Sequence, residues 1–238
     1  MRKLGVIGGR SWTSTGLYYQ HLNREVAQRL GAQHSAALVM ESVDFAPIAA
    51  FQDAGDWESV ARMLIGCGQR LSSAGAEAIL LASNSMHKVY ERLQVALDVP
   101  VIHIADVTAR RLRADGVTHA GMLGTRLTMR EAFFRERLEG HGISIAVPQD
   151  PAMREIDRII FAELVRGQVT RSAQRLLKTE INALAQVKAQ AVILGCTELA
   201  LAVDVRSNIL PIYDTRCLHA DAAVDWMMTE DEPARAAA

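Results

Sequence analysis

A chain of 238 residues holds one large domain or two of roughly 100–150 residues, and it is half apolar with a formal net charge of −1. Near-neutrality without a basic run argues against nucleic acid and anionic membrane as main partners. No stretch approaches the roughly 20 apolar residues of a membrane span, early glycines exclude a signal-peptide core, and three cysteines without disulfide or zinc spacing point to a reducing, cytoplasmic setting.

Apolar runs and amphipathic stretches then alternate. Residues 3–8, KLGVIG, read as a strand ending in a glycine turn. A helix is predicted from near Ser14, with Leu17, Tyr18, Leu22, Val26 and Leu30 on one face and Gly31 as its stop. A strand is expected at 36–42 and a helix at 56–74, with Trp57, Val60, Met63, Leu64 and Leu71 as its apolar stripe. Next come a strand at 78–82, a helix at 86–97 and a strand at 100–104. Such alternation implies βαβ units and parallel sheets. AVIL (191–194) is a further buried strand, with a short helix starting at Glu198. A last helix at 214–228 packs back on the first half, and 229–238 is expected to be a flexible tail.

The second half repeats the first. GVIGGR (5–10) matches GMLGTR (121–126), and the same offset puts Tyr18 on Phe134 and Leu22 on Leu138. SVARML (59–64) matches SAQRLL (172–177), a shift that also puts Ser83 on Cys196. VPVIH (99–103) matches LPIYD (210–214). The expected fold is therefore α/β with two pseudo-symmetric lobes, each a mostly parallel sheet flanked by helices. Residues 1–97 plus 214–228 form the first lobe and 98–213 the second. A pseudo-two-fold axis between them makes Ser83 and Cys196 face each other across one cleft, the expected active site.

Both residues stand where an apolar strand stops, the edge at which α/β sheets bind ligands. Gly195-Cys196-Thr197-Glu198 delivers a thiol there, and Ser83-Asn84-Ser85 a hydroxyl. Backbone N–H groups of a short helix would lower the thiol pKa, giving a thiolate that takes a proton. Ser83 is a far weaker acid. It either donates a proton, with His87 one helical turn on as candidate helper, or only hydrogen-bonds a substrate carboxylate. Cys67 and Cys217 read as packing residues. The chain shows no dinucleotide fingerprint, P-loop or nucleophile elbow.

Taken together, GGRSWTST (8–15) with Tyr18 and Tyr19, SVDF (42–45), SNSMH (83–87) and LGCTEL (194–199) resemble the cofactor-independent aspartate/glutamate racemase family. The resemblance covers nearly the whole chain. Members carry a cysteine in each half, in patterns similar to C-N-T-x-H and G-C-T-E. The second pattern is intact, whereas Ser83 replaces the first cysteine. The chain is most similar to a subgroup with threonine at that place.

The resemblance implies racemisation of an acidic amino acid with no cofactor or metal, in a homodimer whose partner molecule is a small amino-acid substrate. Cys196 and Ser83 would remove and return the α-proton on opposite faces. Asn84, Ser85, Thr125 and Thr197, on the strand-end loops, are placed to hold the α-carboxylate. Gly8, Gly9, Arg10 and Ser11 offer donors to a second carboxylate, Arg10 being the cationic partner. Gln52 joins the pocket by resemblance. Glu198 binds the substrate ammonium, tunes Cys196 or caps a helix. Two rivals stay open: a one-cysteine decarboxylase similar to arylmalonate decarboxylase, and a non-catalytic amino-acid-binding protein.

Overall fold

In the computed structural model, which describes residues 1–204 and 206–229, eight strands form two four-stranded sheets. The first holds β1 (Leu4–Gly8), β2 (Leu38–Ser42), β3 (Ala78–Leu81) and β4 (Val101–Ile102), ordered β2-β1-β3-β4. The second holds β5 (His119–Gly124), β6 (Ser144–Ala146), β7 (Ala191–Gly195) and β8 (Ile212–Asp214), ordered β6-β5-β7-β8. Every pairing is parallel. The same order in both sheets is the structural form of the repeat in the sequence. Matched residues do matched work: Tyr18 and Phe134, and Leu22 and Leu138, are all fully buried.

Among the described residues ten α-helices cover the sheets. They are α1 (Trp12–Leu30), α2 (Phe45–Asp53), α3 (Trp57–Ser73), α4 (Tyr90–Val95), α5 (Ile104–Ala114), α6 (Arg126–Arg130), α7 (Ala132–Gly140), α8 (Asp150–Ala162), α9 (Arg171–Gln186) and α10 (Thr215–Met228). Side chains alternate across a strand, so Ala78 and Leu80 of β3 pack with α1 and α10, while Ile79 and Leu81 pack with α3 and α4. Both faces being covered, these strands read as unbroken apolar runs rather than alternating ones.

The helices are exchanged between lobes. α5 leaves the first sheet after β4, yet Ile104, Ala105, Ala109 and Leu112 lie in the core of the second lobe. α10 leaves the second sheet after β8, yet Ala220, Ala223, Val224 and Met227 lie in the core of the first. The repeat extends to their starts: His103 and Asp214 each accept a backbone N–H from the helix that follows. The first sheet runs on to Ile102, past residue 97, where the sequence divides the lobes.

Local differences from the expected elements have local causes. α1 begins at Trp12 because the Ser11 hydroxyl caps it, accepting from Ser14 N at 3.3 Å. The helix expected at 86–97 opens as a 3-10 turn, Ser85–Val89, before α4. His87 Nδ1 lies 2.7 Å from the Ser83 carbonyl and fixes that tighter turn. α2 falls in a stretch whose apolar residues set no helical stripe; Ile48 is its buried anchor. Among the described residues no helix is long and apolar enough to cross a membrane. Of the tail expected at 229–238, residues 230–238 lie outside the described residues.

Candidate active site

In open parallel sheets the ligand crevice lies beyond the carboxyl ends of strands whose connections leave in opposite directions. Those strands are β1 and β3 in one lobe and β5 and β7 in the other. Residues just past all four ends line one cavity of about 20 Å³, which has room for little more than a water. Arg10, Ser11, Ser83, Asn84, Ser85, Thr125, Cys196, Thr197 and Glu198, all singled out from the sequence, meet there.

Cys196 ends β7 in an extended conformation, with φ −148° and ψ 131°, and is 5% exposed. Its Sγ–H donates to Glu198 Oε2 at 3.0 Å, and Thr197 Oγ1 donates to the same oxygen at 2.7 Å. Burial pushes the thiol well above its ordinary pKa, and the Glu198 charge pushes it further; Arg10 opposes them. This reverses the lowered pKa expected from the sequence. The following turn is a five-residue 3-10 helix, and its few N–H dipoles are outweighed by a whole carboxylate charge beside the sulfur. Burial also raises Glu198, but hydrogen bonds from Cys196 and Thr197, the nearby Ser11 hydroxyl and the Arg10 charge hold it below the usual glutamate value. The resting pair is therefore a neutral thiol donating to an ionised carboxylate.

Ser83 occupies the matching place beyond β3, buried, with Ser85 Oγ at 3.4 Å from its own. His87 is not positioned as its helper. The His87 Nδ1–H faces the Ser83 backbone carbonyl, and Nε2 accepts from Ile104 N at 3.3 Å, so both ring nitrogens serve the backbone. Burial pushes His87 down to about 4, so the ring is neutral. It belongs to a buried group with His103, ring centroids 4.7 Å apart, and His219, 5.7 Å away. Burial likewise pushes His219 down to about 3, where Tyr18 OH and the Ile102 carbonyl hold its ring.

A hydrogen-bond chain joins the ends of β3 and β7. Thr215 Oγ1 donates to the Leu194 carbonyl at 2.8 Å. Its one proton being used there, it can only accept from Asn84 Nδ2, at 3.1 Å. Asn84 Oδ1, an acceptor, is left buried and without a partner among the described residues, in a residue that lines the cavity. The unpartnered atom of an amide expected to hold a carboxylate is thus its acceptor.

Gly9 shapes the loop instead of binding. Its φ is +102°, and a Cβ there would sit 2.1 Å from the Val43 carbonyl oxygen. Its N–H donates to Thr15 Oγ1 at 2.9 Å, so it is not the free donor expected. Ser11 and Thr125 line the cavity while capping α1 and α6, each accepting a backbone N–H at 3.3 Å. Gln52 lies farther out, with Arg10, Trp57, Arg126, Arg130 and Phe161, around a hollow of about 450 Å³. Arg10 and Thr125 line both spaces. The Arg10 guanidinium stands over Phe45 and Phe161, 5.2 and 5.5 Å from the ring centroids. Among the described residues Arg10 Nε, Gln52 Nε2 and Arg126 Nε are buried without partners, and all three are donors.

Sequence reasoning passed over Ser14, Thr128, Thr215 and Arg126. Arg126 was within reach, since GVIGGR and GMLGTR align it with Arg10. Thr215 aligns with Ile104, so the repeat gave no signal for it.

The profile of the Asp/Glu/Hydantoin racemase family matches residues 7–223, and the chain belongs to that family. A candidate Asp/Glu racemase from Yersinia pestis is 40% identical with a TM-score of 0.92, over 96% of this chain and 100% of that one. An aspartate racemase homologue from Pyrococcus horikoshii OT3 is 31% identical with a TM-score of 0.85, at the same coverage. The broad specificity amino-acid racemase RacX of Bacillus subtilis (strain 168) is 27% identical over 169 residues, 71% of this chain and 73% of that protein.

Proposed function

We propose that the protein racemises an acidic amino acid, aspartate or glutamate, by proton transfer on opposite faces of Cα. The observation that carries this reading is one cavity lined by both Cys196 and Ser83, each at the end of its own sheet's strand. Cys196 passes its proton to Glu198, and the resulting thiolate takes the α-hydrogen. Ser83 Oγ–H supplies a proton to the other face. Asn84 Oδ1 accepts from the substrate ammonium, which suits an acceptor left over by Thr215. The three unpartnered donors of Arg10, Gln52 and Arg126 receive the side-chain carboxylate at the outer hollow. An amino acid needs more room than the inner cavity offers, so the walls part at Arg10 on binding and close over the reacting carbon. Closure keeps water from the carbanion and strengthens each donor.

Incubating each enantiomer of aspartate and glutamate in D2O, with chiral analysis and α-deuterium measurement, tests this. Inversion with α-deuteration is expected; binding without either sinks the racemase reading. A one-thiol decarboxylase is the second reading, favoured by a cavity whose lining holds Cys196 as its one thiol. It predicts CO2 release from an aryl-substituted malonate, but the acceptor Asn84 Oδ1 fits an ammonium better than a dicarboxylate.

A further inference from the structure

Glu198 is a wall shared by two spaces. In front lies the reaction cavity with Cys196 and Ser83. Behind lies a second cavity of about 40 Å³, lined by Ser14, Leu17, Leu164, Thr197, Glu198 and Leu201. A water needs about 10–15 Å³ of such space and a few polar partners. Among the described residues Glu198 Oε1 and Ser14 Oγ are buried without hydrogen-bond partners, and both residues line both cavities. Glu198 Oε2, by contrast, is taken up by Cys196 and Thr197. The carboxylate has one oxygen on the thiol and one to spare.

Inversion between two one-proton groups leaves a surplus proton at the cysteine end and a deficit at the serine end. A substrate filling the front cavity bars that exit. Resting on the racemase reading above, we propose that Glu198 relays the Cys196 proton to solvent through the rear cavity, on the side away from the substrate. The S–H bond breaks as an O–H bond forms on Oε2. The thiolate pair takes the α-hydrogen, S–H re-forms, and the Cα–H electron pair stays on the carbanion. Glu198 then loses its proton to a rear-cavity water and is a carboxylate again. Nothing is oxidised or reduced. Ser83 Oγ regains its proton from water admitted as the product leaves, and a further pass exchanges the substrate-derived proton on sulfur for one from solvent.

The test is the fate of hydrogen in substrate that has not inverted. A thiol cut off from solvent returns the hydrogen it took, so recovered starting enantiomer stays unlabelled in D2O. A relayed thiol returns deuterium. With wild-type protein, recovered starting material of the enantiomer facing Cys196 gains α-deuterium as fast as inverted product forms. Glu198→Gln removes the relay; Leu201→Trp fills the rear cavity from its exposed rim and leaves the carboxylate in place. Each lowers labelling relative to inversion by about tenfold or more. Unlabelled recovered enantiomer in the wild type, or an unchanged ratio in the variants, overturns the relay. A second arm needs no turnover: conversion of the Cys196 S–H infrared band to S–D in D2O, read against Cys196→Ala, slows in both variants. Equal rates overturn the relay. Slowed exchange in a protein that inverts neither acid overturns the racemase reading and leaves the relay standing.

Discussion

The strand ends that carry Cys196 and Ser83 share a scaffold and differ in what stands behind them. Beyond β7, Cys196 has an ionised carboxylate at 3.0 Å with an oxygen to spare. Beyond β3, Ser83 has another hydroxyl at 3.4 Å and, deeper, neutral imidazoles bound to backbone. One end has a charged proton acceptor beside it; the other has only neutral neighbours. A duplicated fold thus supplies symmetric positions, while the neighbours of each position decide its acidity.

The sharpest way to break this contrast is to remove one end at a time. Cys196→Ala is expected to lower both inversion and α-deuterium exchange by about 10³-fold or more, since the site loses its one strong base. Residual exchange near the wild-type rate would move the chemistry elsewhere. Ser83→Ala is expected to cut inversion by about 10²-fold while leaving exchange into the enantiomer that faces Cys196. Equal loss of both would make Ser83 a binding residue only. Ser83→Cys, which restores a thiol, raises the inversion rate if acidity is what limits that end.

The histidines behind Ser83 give the next prediction. Burial lowers His87 from an ordinary 6.5 to about 4, and His219 to about 3. The unfolded chain binds protons below 6.5 that the folded chain refuses, so this contribution is whole above pH 6.5 and lost as pH falls towards 4. The loss is about 1.4 kcal/mol per histidine for each pH unit below the unfolded value. Urea midpoints at pH 7.5 and 5.0 measure it, and equal midpoints would mean the rings are protonated in the fold. The smallest effect compares matched glycines. A Cβ on Gly8 would meet Thr15 Cγ2 at 2.4 Å, whereas on Gly124 the nearest atom is 3.2 Å away. Gly8→Ala is expected to cost about 2 kcal/mol and Gly124→Ala about 1 kcal/mol or less, by the same denaturation.

Much of the site was legible because repeat and motif coincide. Offsets between GVIGGR and GMLGTR, and between Ser83 and Cys196, locate four strand ends that a parallel sheet must bring to one edge. The acidity of Cys196 was not legible. Its sign depends on how close Glu198 comes and how dry the pair is, and both arise from packing. His87 misled because i to i+4 spacing supposes an α-helix, while residues 85–89 form a 3-10 turn with the ring on the Ser83 carbonyl. Thr215 and the spare oxygen of Glu198 are visible only when residues distant in the chain meet.

The crossing of α5 and α10 between lobes has a thermodynamic consequence. Each half of the chain, although a full repeat in sequence, lacks a helix that its own core needs and carries one that its twin needs. Unfolding either half strips apolar cover from the other, so the molecule is expected to melt in one transition and neither repeat to persist alone. The strand ends of the two sheets that line the candidate site are thereby kept in mutual register by the same interactions that keep the chain folded.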